Sequence, residues 1–169
     1  MIKVVLYNIV VVVLSRFNVW IKENTKYAVV LGPFGAFITL QYALTMAPPS
    51  QPRNALLGQI VSLSIAHVIK IIPFLAIWIK QALAPSISIG AMALLGIVHP
   101  PAGASALVFV SGEYSFGTVC VTLFANMIAI GIAVLFNNTN EKRQYPTQWG
   151  FVQTWRQLES FFPKSKSKK

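Results

Sequence analysis

The stretch Gly117–Phe136, GTVCVTLFANMIAIGIAVLF, contains no charged side chain. A helix needs about 20 mainly apolar residues to cross a bilayer core of roughly 30 Å, and this stretch supplies them. The rest of the chain repeats the pattern: residues 27–52, 54–69, 81–112 and 114–140 lack Asp, Glu, Lys and Arg altogether. Of the 169 residues, 55% are hydrophobic and 11% are charged, less than half of the roughly 25% charged residues in soluble domains. So few charges cannot cover a soluble fold of this size. The expectation is an all-α membrane protein, a bundle of four or five transmembrane helices.

Four spans follow: Tyr27–Ala47, a second that begins at Asn54 and either ends near Ile69 or runs on past Lys70 towards Trp78, Gln81–Val98, and Gly117–Phe136. Residues 27–137 therefore form the transmembrane domain. Residues 1–26 form an N-terminal helix, either interfacial or an additional span, since Asn8 and Arg16 interrupt its apolar run. Residues 138–169 alternate charged and aromatic side chains and read as a basic C-terminal surface segment. Basic residues collect on the cytoplasmic side of a membrane protein, or on the matrix or stromal side in an organelle. In this topology both termini lie there with Lys70 and Lys80, and Arg53 is the one base on the opposite side.

The net charge of +10 does not point to nucleic acid, because the bases flank apolar segments and form no patch on a soluble fold. Lys164, Lys166, Lys168 and Lys169 suit anionic lipid. The lone cysteine, Cys120, reads as a small buried hydrophobe and leaves no disulfide framework or multi-cysteine metal site. There is no aspartate, and Glu23, Glu113, Glu141 and Glu159 all lie outside the spans. That argues against proton coupling through intramembrane carboxylates. No Gly-rich phosphate loop with its lysine is present. Ser105, His99 and Cys120 lack an acid to orient the histidine and so make no hydrolase set. The chain is expected to be no enzyme and to need no cofactor.

Two proline-rich breaks carry what specific signal there is. Pro48-Pro49-Ser50-Gln51-Pro52-Arg53-Asn54 ends one helix and opens another, with Asn54 as the expected N-cap. Arg53 there is either a snorkelling arginine in a tight turn or an anion site beside a helix N-terminus. His99-Pro100-Pro101-Ala102-Gly103-Ala104-Ser105 predicts a half-helix over Pro101–Val110, lying on the Arg53 side, since nine apolar residues are too few to cross alone. His99 is either a satisfied core histidine or part of a site. Gly35-Ala36 before Pro48-Pro49 and Gly90-Ala91 before Pro100-Pro101 suggest two echoing halves, a pattern found at transporter binding sites.

At these residues the sequence resembles the HPP family of integral membrane proteins, named for its His-Pro-Pro tripeptide. Gly35-Ala36, Gln51-Pro52-Arg53-Asn54 with Gly58, and His99-Pro100-Pro101-Ala102-Gly103-Ala104 stand in family order over roughly residues 28–137. Residues 137–150, with Gln144-Tyr145-Pro146-Thr147, look similar to algal members. The resemblance implies a bundle of four or five spans and, by analogy with plant and cyanobacterial members, nitrite transport at a chloroplast envelope, a thylakoid or a bacterial inner membrane. The N-terminal span and Lys70 depart from the family pattern.

Together the resemblance and the chemistry lead to passage of a small, nitrite-like anion. Arg53 acts as electrostatic lure, the Pro101–Ser105 backbone as binding nest, and His99 and Gln51 as polar lining. The expected site is Gln51, Arg53, Asn54, His99, Pro100, Pro101, Gly103 and Ser105. The competing class is a non-transporting subunit, packed in a homo-oligomer or a larger (photosynthetic) membrane complex, with Trp149–Phe162 as a docking segment.

Overall fold

A computed structural model of the protein describes residues 2–139 and 144–147, with side chains from residue 9 onward. Among the described residues there are six α-helices and no strand: α1 (Ile2–Asn24), α2 (Phe34–Ala43), α3 (Pro52–Lys70), α4 (Ile77–Leu94), α5 (Pro100–Ser111) and α6 (Phe116–Asn137). A 3-10 turn, Pro48–Ser50, precedes α3. Helices α4 and α6 are long and apolar enough to cross a bilayer alone, yet only 17% and 33% of their apolar windows are buried. The core helix of a soluble protein would be mostly covered. Outward-facing Phe74, Trp78, Phe124, Met127 and Leu135 continue the same apolar exterior.

The expected first span, Tyr27–Ala47, is not one helix. Residues 27–31 are non-helical and α2 covers only 10 residues. Gly32-Pro33 is the cause. Proline disfavours helical backbone in the residue before it and has no N–H to give, so a helix can start there but not pass through. Pro33 occupies the N-cap of α2 at φ −72° and ψ −13°. The non-helical backbone is satisfied from neighbouring helices. Val29 N–H donates to Asn18 Oδ1 on α1 at 2.8 Å, and Val30 N–H to Thr122 Oγ1 on α6 at 3.1 Å. Irregular backbone at membrane depth is tolerated only where protein covers it in this way.

Hydrogen bonds sort the helix ends. At one end Arg53 reaches Gly96, Asn137 reaches Gln41, Tyr145 reaches Ser50, and Thr147 reaches Gln51. At the other, Lys80 Nζ donates to Lys70 O at 2.7 Å, Gln81 Nε2 to Ser111 Oγ at 2.9 Å, and Lys70 Nζ to Phe109 O at 3.3 Å and to Gly112 O. Lys70, a departure from the family pattern, thus satisfies carbonyls at the C-terminus of α5, where a cation is favoured. It also lies 5.1 Å from the Phe109 ring centre.

This arrangement corrects the charge topology. Helix α5 was expected to stay on the Arg53 side, but its 12 residues rise about 18 Å from His99 to the Lys70 end. Helix α6 therefore runs back and finishes at the Arg53 end. Thr147 lies there too, opposite Lys70 and Lys80, so Arg53 is not set apart from the side to which the C-terminal segment leads. Lys142, Arg143, Arg156, the Trp149–Phe162 segment and the four tail lysines lie outside the described residues. The echo of two halves fails as well, because Gly90-Ala91 falls near the end of α4 and opens no helix. Cys120, expected to be buried, is exposed.

Candidate functional site

His99 is the N-cap of α5, extended at φ −141° and ψ 96° as a residue before proline must be. Its side chain is wholly buried. Nδ1 stands 2.7 Å from the Pro49 carbonyl oxygen. A carbonyl can only accept, so Nδ1 carries the proton and Nε2 of the neutral ring is left as an acceptor. Phe37 of α2 packs edge-on to the imidazole, ring centres 5.3 Å apart. Gly58 of α3 makes room for it: a Cβ on that residue would sit 2.9 Å from His99 Cβ.

Arg53 is half-buried in the first turn of α3. Its Nη2 donates to Gly96 O at 2.7 Å and its Nε to Asn54 Oδ1 at 3.1 Å, while Asn54 Nδ2 reaches Val98 O at 3.4 Å. Gly96, at φ 63°, makes the left-handed turn that sends the chain from α4 towards α5. The expected N-cap Asn54 is displaced because Pro52 already starts the helix, and Gln51 takes the cap position. Gln51 Nε2 donates to Thr45 O at 2.8 Å, and its Oε1 accepts from Thr147 N at 2.9 Å. Tyr145 OH donates to Ser50 O at 2.5 Å, and burial pushes its phenol well above its ordinary range. The two breaks found in the sequence are therefore braced to each other: Pro49, Arg53 and Asn54 on one side, Gly96, Val98 and His99 on the other.

The remaining expected residues do other work. Pro100 and Pro101 have no N–H, and Ala102 N donates to His99 O at 2.9 Å. The first turn of α5 thus closes the nest expected at Pro101–Ser105. Ser105 Oγ bonds back to Pro101 O at 3.1 Å. Gly103 lets α5 pack against Ile89 of α4. Pro100 and Gly103 face an outer apolar groove of about 300 Å³ between those helices. A larger groove of about 600 Å³ runs between α3 and α6, lined by Leu56, Leu57, Met127, Ile130 and Val134, with Arg53 at its end.

The sequence reading missed the buried amides. Gln41, Gln59 and Asn126 are at most 1% exposed. Among the described residues both polar atoms of the Gln41 side chain, Gln59 Oε1, Asn126 Oδ1 and His99 Nε2 have no hydrogen-bond partner. Amides inside charge-free runs are the signal that could have found them. Helix α2 starts one turn before Phe37 and runs towards Asn137, whereas α5 starts beside His99 and runs towards Lys70. These two short helices thus run in opposite directions side by side, with Gly32, just before α2, against Val108 in the last turns of α5. Each helix start carries roughly half a positive charge.

The family model for the HPP transmembrane region matches residues 1–146 of this chain. A transmembrane protein of Dictyostelium discoideum is 32% identical over 149 residues, covering 83% of this chain and 47% of the relative. A second transmembrane protein of the same organism is 30% identical over 134 residues, covering 75% of this chain and 47% of its own length. The chain thus spans about half the length of the curated relatives it matches. No solved structure matches it. An all-helical body with an apolar exterior and the braced His-Pro-Pro and Pro-Arg-Asn breaks fits that match, and the chain belongs to the HPP transmembrane region family of integral membrane proteins.

Proposed function

We propose that this chain forms a membrane passage for a small anion of nitrite's size and charge. The observation that carries the reading is the pair of short antiparallel helices α2 and α5, each too short to cross alone and each starting inside the bundle, α5 at the buried His99. Interrupted helices that start inside a bundle favour an anion at their positive ends and disfavour a cation. Arg53, at the end of the α3–α6 groove, adds positive potential at the mouth. The broken segments 27–43 and 96–111 would each cross once beside the four remaining helices. Both termini are assigned to the cytoplasmic or stromal side, because Thr147 stands at the Arg53 end and Arg156, Lys164, Lys166, Lys168 and Lys169 follow it in the sequence.

Purified protein in sealed vesicles tests this through Arg53. Arg53→Ala is expected to reduce anion flux at least about tenfold. Arg53→Lys is expected to retain part of it, because the charge survives while the planar fork to Gly96 O does not. Full flux in the folded alanine variant removes Arg53 from the mechanism, and absence of flux in the unaltered protein favours a packing subunit.

A further inference from the structure

We propose that the α3–α6 groove holds one acyl chain of an anionic glycerophospholipid, with the lipid's phosphodiester on Arg53. The groove, about 600 Å³, lies between the first turns of α3 and the second half of α6. Because α6 finishes at the Arg53 end, Leu135 borders the outer part of the groove and Met127 the inner part. The 22 residues of α6 rise about 33 Å, enough to cross the hydrocarbon core. From Met127 to Leu135 the rise is only about 12 Å. The groove is therefore confined to one leaflet of a core about 30 Å thick, and a single lipid entering from the Arg53 end can fill it.

Shape and charge name the occupant together. Gly131 stands in the groove, and a Cβ added there would meet nothing within 4 Å. Met127 and Leu135 beside it are 56% and 71% exposed. An unfilled apolar groove forfeits dispersion contacts along its walls, and a flexible acyl chain restores them. The headgroup is chosen by Arg53, the one charged side chain among the lining residues. It sits in the first turn of α3, so its charge adds to the positive end of that helix. Bonds to Asn54 Oδ1 and Gly96 O hold the guanidinium at the groove, and a planar fork with five N–H donors can serve a phosphate oxygen beside them. A choline headgroup would bring its own cation to this positive end. A phosphodiester with a neutral substituent, as in phosphatidylglycerol, brings only negative charge. A helix from a second copy would match the apolar walls, but the charge-free runs of this chain offer no carboxylate to Arg53. The same guanidinium serves the transport reading, yet lipid retention is measured without any solute passing.

The full-length chain is purified in mild detergent, given phosphatidylglycerol or phosphatidylcholine of equal chain length, and examined by native mass spectrometry. One phosphatidylglycerol per chain is expected to be retained, with about a tenfold preference over phosphatidylcholine, as one charge-assisted contact supplies. Gly131→Phe places a ring in the groove and should cut retention of both lipids at least about tenfold with Tm unchanged. Arg53→Gln should erase the preference, and Arg53→Lys should keep most of it, since the charge survives. Equal retention of the two lipids by the unaltered chain overturns the proposal. So does undiminished phosphatidylglycerol retention by the folded Gly131→Phe chain. A Gly131→Phe chain that passes from dimer to monomer with lipid retention unaltered also overturns it, and makes the groove a face for a second copy. Arg53→Gln removes the bond to Gly96 O, so if that chain does not fold, the unaltered and Gly131→Phe chains decide the matter.

Discussion

His99→Ala is expected to abolish flux and to lower the unfolding free energy in detergent by about 2–4 kcal/mol. The imidazole is wholly buried, so its removal leaves a cavity between α2, α3 and α5. It also orphans the Pro49 carbonyl, which it meets at 2.7 Å. Both costs fall on the brace that joins the two proline breaks. His99→Asn should recover a large share of the stability, because an amide N–H can still donate to Pro49 O. It should not recover flux, since the acceptor at Nε2 has no counterpart in the same place. Thermal unfolding and nitrite flux measured on both variants check this. An alanine variant with unchanged Tm contradicts the bracing role.

Gly58→Leu is expected to prevent folding altogether. A Cβ at this position would lie 2.9 Å from His99 Cβ, 3.1 Å from Met92 Sδ and 3.3 Å from Ile97 O. The methionine can move, but the other two are held by the Pro49 and Arg53 braces. Gly58→Ala is the milder case. Overpacking costs about 1–3 kcal/mol, and the better helix propensity of alanine returns about 1 kcal/mol. A net loss of about 1 kcal/mol should follow. Gly90→Ala serves as the control, with nothing within 4 Å of the added methyl, and should be neutral or slightly stabilising. Equal yields of folded protein from the Gly58→Leu and Gly90→Ala chains would contradict the close approach of His99 to α3.

The membrane class was legible in the chain because an apolar exterior and an apolar core draw on the same residues, and both appear as charge-free runs. Gly117–Phe136 became α6 almost to the residue. The α5 helix was legible from His99-Pro100-Pro101, where proline dictates a helix start. The same rule governs Gly32-Pro33, where hydropathy alone predicts one span over Tyr27–Ala47 and proline starts a new helix instead. Hydropathy does not distinguish a continuous helix from extended backbone followed by a short helix, since both can be equally apolar. The error in topology had the same root. The end at which α5 stops is set by Lys70 binding the carbonyls of Phe109 and Gly112, a contact between residues about forty positions apart. Arg53 and His99 were expected to line one path; each holds a backbone carbonyl of the other proline break, Gly96 O and Pro49 O, a pairing with no local pattern in the sequence. Gln59 and Asn126 were overlooked because a lone amide inside an apolar run has no local pattern. Its meaning lies in what faces it across the bundle.

Uptake of nitrite into sealed vesicles containing the purified protein tests the central claim most directly. The account predicts uptake that exceeds that of protein-free vesicles, increases in proportion to the protein incorporated, and falls to the protein-free level with His99→Ala. Uptake equal to that of protein-free vesicles at every protein loading, with the protein folded and inserted, would contradict it.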